Sequence, residues 1–318
     1  MKNIIIGEND VGRRIDNFLL MYFRKIPRSL MYKLIRKKKI KVNNKKIKEN
    51  QRLYLGDSVT LYLSSELLDN VTSSSDFMRV SSNLDILYED ENILIINKKI
   101  GTVCQPDRDN LVDCVVNRVK KYLFEKEEYK FEDENVFAPS LVNRIDRNTE
   151  GIVIASKNFE SLRFLNEKIK NKEIKKYYKC LVLGKMPKKQ DLITSFLYKD
   201  YIQNKSYISD EKIKNSKLIQ TKYKVIEFKN NLSLLEIELL TGKSHQIRAH
   251  LAHIGHPIVG DGKYGFSKNS QKIKNQLLVS YKIKFEFKNE IPSMEYLNGK
   301  EFEINNSSIL EQISKIMR

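Results

Sequence analysis

A serine-rich stretch without hydrophobic periodicity divides the 318-residue chain into two parts. Residues 64–83 hold seven serines, whereas apolar side chains recur at regular spacings on both sides of them. A segment of this composition cannot bury a core and is typical of a linker. We therefore predict a small domain at 1–70, a linker at 71–83 and a large domain at 84–318, because the chain is long enough for two domains.

The small domain begins with the pattern of an amphipathic helix. Its apolar side chains recur at the spacing of one helix face, namely Ile15, Phe18, Leu19, Tyr22 and Phe23. Pro27 ends this helix, and Ser29 is placed to cap a second one. Short alternating runs at 40–42 and 59–63 predict strands, so we expect two helices packed on a small sheet.

The second helix is predicted to have a basic outer face. Leu30, Leu34 and Ile35 mark its inner face, and the cations on the other side and just beyond it are Lys33, Arg36, Lys37, Lys38 and Lys39. A charge run of this kind is more often an ordinary solvated helix face than a binding site. The whole chain, however, has 58 Lys and Arg against 40 Asp and Glu, a net charge of +18. Such an excess favours a polyanionic partner such as nucleic acid.

Cysteine spacing and hydropathy exclude several classes of protein. Cys104, Cys114 and Cys180 have no CxxC spacing and are odd in number, which argues against a disulfide framework or a thiolate zinc site. No apolar run approaches the roughly 18 residues that a membrane helix needs. The N-terminus also turns acidic where a signal peptide needs its apolar stretch. We expect a cytoplasmic protein in a reducing compartment, with no membrane segment.

The large domain shows mainly strand patterns with a few helices between them. Strands are predicted at 84–88, 93–96, 152–155, 178–183, 218–228 and 232–240, and helices near 111–124 and 159–170. This order predicts an α+β domain built on a mostly antiparallel, mixed sheet.

One stretch of the large domain places a carboxylate between two arginines. In LVNRIDRNTEG, Asp146 follows Arg144 and precedes Arg147, and an apolar strand comes directly after. The two cations would keep the carboxylate ionised, as a nucleophile or an electrostatic stabiliser must be. From spacing alone the commoner explanation is an ordinary surface ion pair at a turn.

A second chemically rich stretch lies at 241–257. Ser244 is placed to cap a short helix and Gly255 to end it, and the buried face would hold Ile247, Leu251 and Ile254. Gly-Lys-Ser at 242–244 lacks the upstream glycine of a phosphate loop, so ATP binding is not expected.

The same stretch contains all four histidines, which raises the question of a metal site. On a helix, His245 would share a face with Arg248, whereas His250 and His253 would share another. The imidazoles do not converge, and a guanidinium beside a divalent ion is unfavourable. We therefore expect no bound metal.

Three motifs in order resemble the signatures of the RluA-type pseudouridine synthases. They are NRIDRNTEG before an apolar strand, KKYYKCLVLG about thirty residues later, and TGKSHQIRAHLAHIGHPIVGDGKYG. YEDENILIINKKIG opens the large domain in the same way. The small domain, with RSLMYKLIRKKKIKVN and GDSVTLYL, resembles the S4-like RNA-binding module. The likeness covers nearly the whole chain and is nearest to the RluC-type enzymes of large-subunit ribosomal RNA.

This resemblance implies that the chain converts specific uridines of 23S ribosomal RNA to pseudouridine, as a monomer and without metal or cofactor. It places the catalytic carboxylate on Asp146, a tyrosine that packs on the target base on Tyr178, and the arginine paired with the aspartate on Arg248. Arg144 matches the residue that enters the RNA helix as the uridine leaves it. Either Leu239 or Ile237 would line the uracil pocket. Further RNA contacts are expected from Arg147, Lys33, Arg36, Lys37 and Lys38.

Three residues depart from the family pattern. Asn143 stands where the family usually has His, Glu150 where it has Ser, and Lys99 where it has Pro. These departures leave an alternative open, a non-catalytic RNA-binding ribosome-assembly factor that retains the fold. A ribosome-bound regulator that uses only its S4-like module is a second alternative.

Overall fold

Two separate sheets organise the chain in the computed structural model, which describes residues 1–23, 26–68, 75–106, 112–131, 135–265, 273–288 and 294–318. Its strands and helices, in chain order, are β1 (Lys2–Ile5), α1 (Ile15–Tyr22), α2 (Arg28–Arg36), β2 (Ile40–Val42), β3 (Ser58–Leu61), α3 (Ser65–Leu68), β4 (Ile86–Glu89), β5 (Ile93–Lys98), α4 (Val115–Glu125), β6 (Ser140–Leu141), β7 (Glu150–Ser156), α5 (Phe159–Lys170), β8 (Ile174–Leu183), β9 (Gln190–Asp200), β10 (Lys205–Ser209), β11 (Lys217–Lys229), β12 (Leu232–Leu239), α6 (Gln246–His253), β13 (Leu278–Phe285), β14 (Glu301–Glu303) and α7 (Ser308–Met317). No helix in the described ranges is long and apolar enough to cross a bilayer.

The N-terminal unit packs α1 and α2 on an antiparallel sheet of order β1-β3-β2. Phe18, Leu19 and Met31 have no exposed surface in its core. The expected two helices on a small sheet are therefore confirmed, with β1 as an additional strand. Ser29 is not the cap of α2, because Pro27 occupies the N-cap position in extended conformation and the helix starts at Arg28.

The described residues of the large domain form a sheet of eleven strands, with the main order β10-β9-β11-β12-β8-β13-β7-β5-β4. Of the pairs between these strands, only β13 with β7 is parallel. The expected α+β domain with a mostly antiparallel, mixed sheet is confirmed. The sequence interpretation missed β6, β9, β10, β13 and β14. Of these, β9 and β10 form an edge where few side chains are buried.

Helices cover both faces of the central strands. On β5, Ile93 and Ile95 pack toward α5, and Leu94 and Ile96 pack toward α4. Because successive strand residues point to opposite faces, this uninterrupted apolar run requires cover on both sides. Farther along the sheet, α6 packs on one face of β8 and α7 on the other.

The N-terminal unit contacts the large domain near the start of α5. The Nδ2 atom of Asn135 donates to the Ile5 carbonyl at 2.9 Å and to Asp10 Oδ2 at 2.8 Å. The Arg13 guanidinium lies 3.5 Å from the centre of the Phe159 ring. Of the predicted linker, 71–74 lies outside the described residues, and Phe77 packs into the large domain with 2% exposure.

Candidate active site

Asp146 lies on the loop between β6 and β7, which is held by the side chain of Asn143 and by a backbone turn. The Asn143 carboxamide donates to the Ile152 carbonyl at 3.2 Å and accepts from the Ile154 N–H at 2.8 Å. The Thr149 N–H closes a turn on the Asp146 carbonyl at 3.1 Å. Asn143 therefore holds the loop against β7, and the Asp146 side chain is 25% exposed in a cleft.

Helix α6 brings Arg248 to Asp146. Its Nη1 atom donates to Asp146 Oδ2 at 2.7 Å, so the predicted contact between these residues is confirmed. Its Nε and Nη2 atoms donate to the two carboxylate oxygens of Asp261 at 2.7 and 2.9 Å. The guanidinium thus joins two carboxylates, one in the cleft and one buried. Burial acts to lower the pKa of Arg248, but the two carboxylates outweigh it and raise that pKa.

Asp261 is a site residue that the sequence interpretation missed. It is 3% exposed, and its Oδ1 atom also accepts from the backbone N–H groups of Lys263 at 2.9 Å and Tyr264 at 3.2 Å. Burial acts to raise the pKa of Asp261, but Arg248 and these N–H groups outweigh it and lower that pKa. The sequence feature that could have indicated Asp261 is its position in the third motif. Its local pattern, an Asp-Gly pair, predicts only a turn.

His245 is the second residue that the interpretation did not assign to the site. Its Nε2 atom lies 4.0 Å from Asp146 Oδ2, and its Nδ1 atom lies 3.0 Å from the Tyr264 hydroxyl. That hydroxyl accepts from the Ser206 N–H at 2.7 Å, so its own hydrogen is free for Nδ1. Burial lowers the pKa of His245, and the neutral ring then presents Nε2–H toward Asp146.

His245 also occupies the N-cap position of α6, with φ of 55° in the left-handed region. The prediction that Ser244 caps this helix was therefore wrong. Left-handed backbone at a residue other than glycine is strained and persists where its surroundings fix it, often at functional sites. Gly255, with φ of 85°, follows the helix end as predicted.

The other histidines have separate partners. His250 is buried between the hydroxyls of Thr221 and Ser195, at 2.9 and 3.3 Å. His253 pairs with Asp210, and His256 bonds to a backbone carbonyl. Over the described ranges, no group of three or more His, Cys, Asp or Glu is arranged to hold a metal ion.

Tyr178 forms an apolar wall of the cleft. It lies on β8 opposite Ile237 of β12, with 5% exposure. Burial raises the pKa of its hydroxyl to about 12, so the phenol is protonated at neutral pH. Of the two candidate pocket residues, Leu239 lines the cleft and Ile237 is fully buried behind it.

The cleft has a volume of about 1260 Å³ and a positive lining. Asp146 is its only carboxylate among the described lining residues, and its cations are Arg144, Arg147, Lys170, Lys172, Lys176, Lys199, Lys243 and Arg248. A cleft with low-dielectric walls and mostly positive charges raises the local concentration of anions. The lining therefore suits a polyanion.

The predicted RNA contacts fall in two places. Arg144 and Arg147 are exposed at the cleft, and Arg144 donates to the Gln105 side chain at 3.1 Å. The other predicted contacts are exposed on the N-terminal unit, namely Lys33, Arg36, Lys37 and Lys38. Arg36 and Lys38 border a second cleft there, of about 640 Å³.

The departures at Glu150 and Lys99 are linked to each other. Glu150 Oε2 accepts from the hydroxyls of Ser307 and Ser308, at 2.9 and 2.8 Å, and from the Ile309 N–H at 3.2 Å. It therefore caps α7, while its Oε1 atom lies 3.9 Å from Lys99 Nζ. Both residues make structural contacts outside the cleft.

Comparison with known proteins identifies the families that the two domains match. Residues 92–253 match the RNA pseudouridylate synthase family, and residues 13–59 match the S4 domain. The chain is 36% identical over 306 residues to an uncharacterized RNA pseudouridine synthase of Mycoplasma capricolum, covering 94% of this chain and 96% of that one.

Two further similarities extend the comparison. The chain is 35% identical over 292 residues to the ribosomal large subunit pseudouridine synthase C of Buchnera aphidicola subsp. Acyrthosiphon pisum, covering 89% and 88% of the two chains. Human RNA Pseudouridylate Synthase Domain Containing 4 shares the fold with a TM-score of 0.56 at 17% identity, over 73% of this chain and 92% of that one. With relatives above 30% identity along most of its length, the chain belongs to the RNA pseudouridylate synthase family of enzymes.

Proposed function

We propose that the chain isomerises specific uridines of large-subunit ribosomal RNA to pseudouridine, with Asp146 as the catalytic carboxylate. The observation that carries this proposal is the position of Asp146. It is the only carboxylate among the described residues that line a basic cleft, and it is paired with Arg248. The choice of ribosomal RNA rests on relatives named ribosomal large subunit pseudouridine synthase C.

The reaction moves a base without changing its oxidation state. The bond from C1′ to N1 breaks, the uracil turns, and C5 bonds to C1′; C5 loses a proton and N1 gains one. Asp146 acts either at C1′ of the sugar or at C6 of the uracil. Arg248 holds the carboxylate in one orientation, and Tyr178 supplies the flat wall on which the uracil rests.

The target base must leave its stack before it reaches Asp146. Extrusion costs a few kcal/mol of stacking and pairing. In the proposed complex, Arg144 enters the space that the extruded base leaves in the RNA helix. Contacts between the cleft lysines and the RNA phosphates offset the rest of the extrusion cost. Arg144 is suited to this role because it is exposed at the cleft, where its bond to the Gln105 side chain is the only one to a described residue that would have to break for it to move.

The N-terminal unit adds affinity rather than chemistry in this proposal. Its exposed cations Lys33, Arg36, Lys37 and Lys38 lie outside the cleft of Asp146 and would contact phosphates of the same RNA. We propose that the protein acts as a cytoplasmic monomer, with residues 1–70, 71–83 and 84–318 as RNA-binding domain, linker and catalytic domain.

The test is to map pseudouridine in ribosomal RNA from cells with and without the gene. Carbodiimide blocks reverse transcriptase at pseudouridine, so stops that vanish with the gene and return on complementation identify the targets. Complementation with Asp146→Asn should not restore them. Stops that are unchanged by deletion would favour the alternative, an RNA-binding assembly factor.

A further inference from the structure

Lys176 lines the cleft, where none of the described residues pairs with its charge. It is two residues from Tyr178 on β8 and therefore points to the same face, where both line the cleft. Its Nζ atom lies against Gly242, at 3.5 Å from where a β-carbon on that glycine would be. Within the part of the chain that is described, no carboxylate pairs with this ammonium and no group accepts a hydrogen bond from it.

Two fully buried lysines of this chain have protein partners. Lys98 Nζ donates to three backbone carbonyls at 2.9 to 3.0 Å. Lys168 Nζ donates to Glu173 at 2.6 Å. Lys176 is only half-buried, and its partial removal from water lowers the pKa of its ammonium. No described residue offers this ammonium a comparable bond, so it is available to a ligand in the cleft.

The lining around Lys176 is basic. Lys170, Lys172 and Lys243 line the same cleft. An anion seated there would accept hydrogen bonds from Lys176 and would be attracted by the other cations of the lining. Gly242 carries no side chain, which leaves that approach to the ammonium uncovered.

We propose that Lys176 binds a backbone phosphate of the RNA next to the uridine that enters the cleft. This assignment deepens the proposed function and rests on it for the identity of the RNA. Lys176 is then a substrate-binding residue that fixes the sugar-phosphate chain while Tyr178 and Asp146 engage the base.

The first test compares Lys176→Met with Lys224→Met, an exposed strand lysine of β11 outside the cleft. We expect Lys176→Met to unfold at the same or a higher temperature than the wild type, since no described residue pairs with the charge that it deletes. Its affinity for a fluorescent oligouridylate should fall roughly fivefold near 0.1 M salt, with the salt slope reduced by about 0.7. Lys224→Met should change neither slope nor affinity. A lower unfolding temperature or an unchanged slope for Lys176→Met would overturn the proposal.

The second test identifies the phosphate. Neutral methylphosphonate linkages are placed one at a time along an RNA fragment that carries a mapped target uridine. One linkage beside the uridine should weaken binding to the wild type and to Lys224→Met but not to Lys176→Met. If all three proteins respond equally at every linkage, Lys176 does not contact a phosphate of this RNA. Binding is read without turnover, so failure of the catalytic proposal and failure of this one remain distinguishable.

Discussion

The Nη1 atom of Arg248 lies 2.7 Å from Oδ2 of Asp146, although 102 residues separate them in the chain. The guanidinium cannot turn away, because its other edge is bonded at two points to the buried Asp261. A planar group held by two bonds at one edge fixes the direction of the donor at the other. The orientation of Asp146 therefore depends on Asp261, which does not itself line the cleft.

Replacing Asp261 by Asn should lower turnover by roughly a hundredfold, because Arg248 loses its anchor and Asp146 its fixed direction. Removing one partner of a buried ion pair should also lower the free energy of unfolding by about 3–5 kcal/mol. Single-turnover rates and urea unfolding at low temperature measure the two effects. Asp210→Asn, at an exposed carboxylate beside His253, is the matched control and should have normal turnover. Wild-type turnover in Asp261→Asn would contradict the anchoring role.

Arg248→Lys should retain more activity than Arg248→Ala but less than the wild type. The lysine ammonium keeps a positive charge beside Asp146. It lacks the planar fork that lets the guanidinium bond to Asp146 and to both oxygens of Asp261 at the same time. The alanine variant leaves the buried Asp261 without the positive charge of Arg248. Circular dichroism must therefore show that each variant is folded before their rates are compared. Equal rates for folded Lys and Ala variants would mean that charge at this position does not matter.

The fold of the site was predictable only in part. The spacing of Arg144 and Asp146 drew attention to the right loop, but the resemblance, not the spacing, linked it to Arg248. Asp261 was missed because an Asp-Gly pair after Pro257 has the pattern of a turn. A second carboxylate behind the arginine is a long-range relationship that local patterns do not contain.

Local chemistry also misled at both predicted helix caps. Serine is a favoured N-cap, yet Pro27 and His245 occupy those positions. At α6 the packing of the His245 ring between Asp146 and Tyr264 determines where the helix begins. Tertiary contacts at a functional site therefore outweighed the local preference.

The buried His250 should make stability depend on pH. Burial, with His253 nearby, lowers its pKa from 6.5 to about 4, while Asp210 opposes the shift. Between these values the unfolded chain binds a proton that the folded chain does not, so up to about 3 kcal/mol of stability is lost as pH falls from 6.5 to 4. Urea unfolding at pH 7 and 4.5 should show a smaller loss for His250→Gln. Equal losses in both proteins would contradict the assignment.

Removal of residues 1–75 should leave a folded catalytic domain that binds RNA less tightly. Phe77 remains in place. The truncation removes the contacts of the N-terminal unit with Asn135, Val136 and Phe159, among them the bond from the Phe159 N–H to Asn9 Oδ1 at 3.0 Å and the stacking of Arg13 on the Phe159 ring. The salt slope should fall by roughly 0.7 for each phosphate of single-stranded RNA that is no longer bound. Neutralising Lys33, Arg36, Lys37 and Lys38 in the full chain should reproduce the change. An identical slope in truncated and full chains would mean that this unit does not touch RNA.

The most direct measurement is the release of tritium from C5 of labelled uridine in the mapped RNA by Asp146→Asn. Pseudouridine formation must expel that hydrogen, so release reports the chemistry and not the binding. We expect no release, with affinity for the RNA within about twofold of the wild type, because the substitution removes the reacting carboxylate and little of the basic surface. Release at the wild-type rate would show that Asp146 is not the catalytic carboxylate.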